Sequence, residues 1–135
     1  MVATLGDFIA LRPTTECAAL NTLGAQCACD FERFRAPLSD RERERRLSVP
    51  LTSRQRDLLD IYGYPYVLDE WRFHLTLSAA LPEDQRQGLI EFLAAHFADS
   101  IQMPLTIEDI ALVGQPAPQA DFVLLERHTL GDKTH

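Results

Sequence analysis

The stretch Trp71-Arg72-Phe73-His74-Leu75-Thr76-Leu77-Ser78 alternates strictly between apolar and polar residues. Trp71, Phe73, Leu75 and Leu77 fall on one side of an extended chain; Arg72, His74, Thr76 and Ser78 fall on the other. That is the period-two pattern of a strand with one buried and one polar face. It is the cleanest periodic signal in the chain.

Working outward, Asp7-Phe8-Ile9-Ala10-Leu11-Arg12 is short, apolar and halted by Pro13, which reads as a strand. Thr14 or Thr15 then caps a helix with Cys17, Leu20, Leu23, Cys27, Phe31 and Phe34 along one stripe. Glu16 lies in its first turn, where the helix dipole favours an anion. Ser39-x-x-Glu42 and Thr52-x-x-Gln55 are capping boxes. The first opens a short charged helix. The second opens a helix carrying Leu58, Leu59 and Tyr62 and ended by Gly63. Beyond the central stretch, Pro82 opens a helix at Glu83 with Leu89, Phe92, Leu93, His96 and Phe97 on one side. Residues 105–113 and 122–130 read as two further strands, joined by the loop Gln115-Pro116-Ala117-Pro118-Gln119, and residues 131–135 as a fraying tail. The order β-α-α-α-β-α-β-β points to an α+β two-layer sandwich, one domain over residues 1–135.

With 135 residues the chain has the usual size of one domain. Its 20 acidic against 13 basic residues give a net charge of -7, the wrong sign for a protein that neutralises a polynucleotide. The run Arg41-Glu42-Arg43-Glu44-Arg45-Arg46 alternates in sign and reads as a solvated helix face. Long nucleic acid is therefore excluded as the expected partner, while a small phosphorylated ligand is not. Cys17, Cys27 and Cys29 are an odd number without metal or redox spacing, so free structural thiols in a reducing compartment are expected, with Cys17 and Cys27 buried on the helix stripe. No signal peptide and no run of 18 apolar residues is present, so the expectation is a cytoplasmic protein with no membrane partner. No carboxylate pair or His/Asp/Glu cluster has metal-ligand spacing, and neither metal nor cofactor is expected.

The polar side of residues 71–78 has two readings. Side chains two apart on a strand are roughly 6.5–7 Å apart on the same face, so His74 and Thr76 can touch one bound group with Arg72 and Ser78 at the ends. Histidine donates or accepts a proton near neutrality, threonine adds a hydroxyl, and arginine matches phosphate in charge and geometry. Equally, an antiparallel sheet often leaves one face to water.

Phe73-His74-Leu75-Thr76-Leu77 resembles the H-x-T/S strand motif of the two-histidine phosphoesterase superfamily, which includes RNA ligase-like proteins and cyclic phosphodiesterases. The longer run from Tyr62-Gly63-Tyr64-Pro65-Tyr66 to Leu77 is similar to a family of uncharacterised proteins encoded with phosphonate-metabolism genes. Phe8-Ile9-Ala10-Leu11-Arg12-Pro13, Phe34-Arg35-Ala36-Pro37-Leu38 and Gln115-Pro116-Ala117-Pro118 agree with it. The resemblance covers essentially the whole chain and implies one lobe with a mostly antiparallel four-stranded sheet, matching the C-terminal half of a two-lobed protein. In the superfamily each lobe supplies one histidine, one acting as base and the other as acid, and the two threonines or serines hold the phosphate.

On that resemblance His74 and Thr76 are catalytic and Arg72, Ser78, Arg35 and Tyr64 are substrate-binding. Arg35 either reaches the ligand or caps the preceding helix; Tyr64 either packs or lines the groove. His96, His128 and His135 begin no second H-x-T, and Ser78-Ala79-Ala80 departs from the Thr-Gly expected after the motif. The implied function is a metal-independent phosphodiesterase acting on a small cyclic or ribose phosphate, or else a non-catalytic phosphate-binding or assembly module. An RNA 2′,3′-cyclic phosphodiesterase is a third form, disfavoured by the net charge. The second histidine then belongs to a missing N-terminal lobe or to a second copy in a homodimer, formed across the groove or along a sheet edge.

Overall fold

Gly6 and Asp7 decide how the chain begins. They form the two-residue loop of a hairpin between Val2–Leu5 (β1) and Phe8–Leu11 (β2), in which Leu5 faces Phe8 and Val2 faces Leu11. Gly6 has φ +60°, which glycine adopts without the steric cost other residues meet. β1 was not among the expected strands, although apolar runs flanking Gly-Asp carry a hairpin signal. The computed structural model describes residues 1–117 and 119–131, so Pro118 of the hairpin loop and residues 132–135 of the tail lie outside the described residues. The chain divides into two compact units, Met1–Phe97 and Ala98–His135.

In the first unit the other edge of β2 pairs antiparallel with Leu75–Thr76 (β3), giving the order β1-β2-β3. The expected eight-residue strand over residues 71–78 is thus only two residues long, and the cause lies in its partner. Ala10 faces Thr76 and Leu11 faces Leu75, so the same register would bring Phe73 opposite Pro13, which has no N–H to continue a ladder. At the other end the Ile9 N–H donates to Ser78 Oγ at 3.0 Å, and the side chain takes the place of a backbone acceptor. The expected alternation of burial fails with it: Leu75 is 47% exposed.

The helices are Ala18–Phe31 (α1), Asp40–Leu47 (α2), Ser53–Tyr62 (α3) and Glu83–His96 (α4). Both capping boxes form. The Glu42 N–H donates to Ser39 Oγ at 3.3 Å and the Gln55 N–H to Thr52 Oγ1 at 3.1 Å, each with the reciprocal bond. α1 starts later than expected, with Cys17 at its N-cap and no side-chain cap, so neither Thr14 nor Thr15 serves there. Cys17 is exposed, Cys27 half-buried and Cys29 exposed, and all three are free thiols. Phe31 and Phe34 pack on each other, centroids 6.4 Å apart, and remain exposed at the end of the expected stripe. A Cβ on Gly24 would lie 3.1 Å from the Trp71 ring, so the absence of a side chain lets α1 approach the residues leading into β3. α4 packs on β1 and β2. Its inner face carries Leu89, Ile90, Leu93 and Phe97, while Phe92 and His96, expected on the apolar side with them, are exposed and stacked at 6.0 Å. Among the described residues the core consists of Val2, Ile9, Ala10, Leu51, Leu58 and Leu59.

Gly63 ends α3 with φ +66°, and a Cβ there would meet Arg35 Nη1 at 2.7 Å. Gly63→Ala is therefore expected to destabilise the unit by about 1–2 kcal/mol from the left-handed backbone alone, and further by displacing Arg35. A urea midpoint unchanged from the parent would refute this.

The second unit is a hairpin of Asp109–Gly114 (β4) and Val123–Thr129 (β5), antiparallel with an irregularity between Leu112 and Val113. The Arg127 guanidinium donates to both Asp109 oxygens at 2.8 Å. β4 begins at Asp109 instead of residue 105 because β5 ends at Thr129; the Leu130 N–H to the Glu108 carbonyl, 2.7 Å, is the last link between them. The strands therefore form a three-stranded and a two-stranded antiparallel sheet, not one four-stranded sheet. The α+β composition stands. Among the described residues no helix is long and apolar enough to cross a membrane.

Candidate functional site

His74 enters β3 half-buried, its ring 5.6 Å from that of Phe8. Its Nδ1 lies 2.7 Å from the Arg72 carbonyl oxygen. A carbonyl can only accept, so Nδ1 carries the proton and the imidazole is held in the tautomer that leaves Nε2 as the working nitrogen. Two residues on, Thr76 faces Ala10 of β2 and shares its side of the sheet. Among the described residues Thr76 Oγ1 makes no side-chain hydrogen bond, and its hydroxyl is free to donate to a ligand. An imidazole fixed just before β3 and an exposed hydroxyl on it thus stand two residues apart.

The other expected binders are distributed unevenly. Ser78 is committed to the backbone, its Oγ accepting from Ile9 N–H and donating to the Ala79 carbonyl at 2.8 Å. Arg72 donates through Nη1 to the Asp69 and Trp71 carbonyls, both at 2.7 Å, and is otherwise exposed. Arg35 forks onto Glu32, with Nε 2.9 Å and Nη2 2.6 Å from its carboxylate oxygens, and reaches the Ala36 and Ile61 carbonyls. Of its two sequence readings the structural one describes these contacts: it ties the end of α1 to the end of α3. Tyr64 sits edge-on to Tyr66 at 5.6 Å with the Arg46 guanidinium 4.5 Å from its ring. Gln115 Nε2 donates to the Ala120 carbonyl at 3.0 Å, within the loop that joins β4 and β5.

Sequence reasoning missed Arg12. Continued one step past its paired residues, the β2–β3 register would set it opposite His74. Arg12, Arg72 and Trp71 line a groove of about 330 Å³ that also reaches Ala3, on the same sheet face as Ala10 and Thr76. The available signal was a cation closing one strand beside a histidine opening another, which becomes visible only when the register is known.

Ion pairs hold the approach to β3. Arg54 grips Asp69 through Nε at 3.0 Å and Nη2 at 2.5 Å, at the turn Leu68–Glu70 that leads into the motif. The hydrogen bond from Arg54 keeps the Asp69 carboxyl below its usual range, that from Arg35 does so for Glu32, and those from Ser39 for Glu42. Each pKa is lower folded than unfolded, so the stabilisation is full above the ordinary carboxylate values and is lost as pH falls through them. Urea midpoints are expected to drop between pH 7 and pH 3, modestly, because water screens these exposed pairs. A midpoint rising toward pH 3 would contradict it.

Among the described residues no three His, Cys, Asp or Glu side chains come together as a metal site requires.

The chain is 33% identical over 130 residues to a Janthinobacterium sp. (strain Marseille) protein titled ribose 1,5-bisphosphate phosphokinase PhnN, covering 93% of this chain and 29% of that protein. A Laribacter hongkongensis (strain HLHK9) protein with the same title is 31% identical over 122 residues, 90% of this chain and 28% of its own length. The chain thus spans less than a third of these curated relatives, and it contains no Gly-x-x-x-x-Gly-Lys-Ser/Thr loop of the kind that cradles nucleotide phosphates. No solved structure matches it. Residues 1–123 match the model of the family described as protein of unknown function (DUF1045), and the chain belongs to that family.

Proposed function

We propose that this chain is a phosphoesterase lobe working in phosphonate and ribose phosphate metabolism, where it opens a small cyclic sugar phosphodiester without a metal. The observation that carries the reading is the Nδ1–H bond from His74 to the Arg72 carbonyl, which holds Nε2 ready for proton transfer two residues from the free Thr76 hydroxyl. The relatives' titles support the substrate class: a protein titled for ribose 1,5-bisphosphate carries a region similar to this chain within a much longer polypeptide. Opening a cyclic sugar phosphate yields a phosphomonoester of the same chemical class.

In the reaction a water oxygen bonds to phosphorus as the bond from phosphorus to one ring oxygen breaks. His74 Nε2 either takes the proton from that water or, when protonated, gives one to the leaving oxygen. Thr76 Oγ1 donates to a non-bridging phosphate oxygen. One histidine performs one of the two transfers. The other belongs to a second lobe, supplied by another segment or by a second copy of this chain. That only one H-x-T is present favours a second reading, a phosphate-binding module without turnover of its own.

Incubating the protein with a ribose cyclic phosphodiester in excess chelator and following release of phosphomonoester by phosphorus NMR separates the two. Turnover that persists in chelator supports the phosphodiesterase; turnover that requires added metal refutes its metal-independent form. Binding without turnover, by protein that light scattering shows to be monomeric, supports the module.

A further inference from the structure

The groove between the end of β2, the start of α1 and the residues before β3 is lined by neither His74 nor Thr76, but its Arg72 gives its backbone carbonyl to His74 Nδ1. Its volume, about 330 Å³, is at the small end of the range for small-molecule sites, roughly 300–1,000 Å³. The wall chemistry is mixed in a telling way. Arg12 and Arg72 bring two guanidinium groups to one groove, and among the described residues neither lies within ion-pair distance of a carboxylate. In a chain with net charge -7, two cations on a concave surface with no carboxylate in close ion-pair contact are a place for an anion. Arg12 is half-buried and spends only Nη1 on a long 3.5 Å approach to the Thr4 carbonyl. Arg72 spends Nη1 on two carbonyls, which orients the fork and leaves Nε and Nη2 without a partner among the described residues.

The rest of the wall is not what a bare anion needs. Glu16, Asn21 and the hydroxyls of Thr14 and Thr15 line it, and Trp71 supplies an aromatic surface. Carboxylate, amide and hydroxyl groups match the alternating donors and acceptors of a sugar, and an indole covers the apolar face of a sugar ring. The uncapped first turn of α1 opens beside them and adds partial positive charge to that of the arginines.

We propose that this groove binds the phosphomonoester end of a phosphorylated sugar, with Arg12 and Arg72 on the phosphate and Glu16, Asn21 and Trp71 on the ring. It deepens the phosphoesterase reading and rests on it for one consequence: a substrate that fills both places carries a cyclic diester at His74 and Thr76 and a second phosphate in the groove. Binding energy from that remote phosphate then positions the reacting diester.

The test reads the groove apart from the chemistry by using ribose 5-phosphate, which has a monoester and no diester, as the calorimetric probe at low salt. Ribose 5-phosphate is expected to bind and ribose is not. Arg12→Gln should weaken binding roughly ten- to hundredfold, as expected for loss of a charged hydrogen bond, and Arg12→Lys should restore part of it. Arg72→Gln, at an exposed position, should weaken it similarly and stands in if Arg12→Gln does not fold. His74→Ala should leave the affinity unchanged. No binding of ribose 5-phosphate, binding undiminished from the parent in both arginine-to-glutamine variants, or binding lost in His74→Ala would overturn the groove. None of these outcomes bears on diester turnover in chelator, so the phosphodiesterase reading stands or falls separately.

Discussion

Replacing His74 with alanine is expected to lower turnover of a small cyclic phosphodiester by roughly 10²–10⁴-fold, the usual contribution of one positioned acid or base. The reason is local. The Arg72 carbonyl holds Nδ1–H at 2.7 Å and so leaves Nε2 as the unprotonated nitrogen of the neutral ring. Neither residue of β3, Leu75 or Thr76, can transfer a proton near neutrality in its place. The substitution removes a half-buried ring that rests on Phe8, so the fold should survive, and circular dichroism with a urea midpoint checks that. Thr76→Val is the companion: it keeps the shape, deletes the hydroxyl and should raise the barrier while sparing stability. Thr76→Ser should recover most of the rate. Turnover undiminished in His74→Ala would remove the residue from any mechanism.

The second large effect is on stability. Ile9→Ala should cost about 2–5 kcal/mol, the usual range for truncating a buried Ile or Leu, out of a total that for most domains is roughly 5–15 kcal/mol. Ile9 is 0% exposed and lies on the middle strand, so the deletion leaves a void that neighbours on both sides cannot easily close. It also reaches the site. The Ile9 N–H bonds Ser78 Oγ and its carbonyl accepts from Leu77 N–H at 2.8 Å, so β3 is held to the sheet beside this one residue. Loss of activity should therefore accompany the loss of stability, whereas Ile9→Val should cost only about 0.5–1.5 kcal/mol and keep both. Chemical denaturation measures it; a cost below about 1 kcal/mol for Ile9→Ala would mean that the strand does not depend on this packing.

Local rules read directly from residues held wherever a bond is made within a few positions. Ser39 with Glu42, Thr52 with Gln55 and Gly63 after Tyr62 set the starts of α2 and α3 and the end of α3, because both partners of each hydrogen bond lie in the same short stretch. The pairing of His74 with Thr76 was legible for the same reason, as alternation along one extended segment. What failed depended on partners far away in sequence. The alternation of residues 71–78 set no strand length; Pro13, about sixty positions earlier, ended the ladder by lacking an N–H. Ser78 looked free beside its neighbours, but the Ile9 amide, 69 residues away, claims its hydroxyl. Arg35 had two open readings, and the Ile61 carbonyl, 26 residues away, joins Glu32 in holding it at the helix ends. Arg12 was not among the expected site residues, and only the folded chain brings it to one groove with Arg72 and Trp71. The sequence by itself determined the helix boundaries made by local caps and the two-residue spacing of His74 and Thr76 on one extended segment. Only the tertiary structure decided how long that strand is, which tautomer its histidine holds, which polar side chains remain unspent and where the strands divide into sheets. Those outcomes turn on hydrogen-bond partners that the chain brings together only on folding.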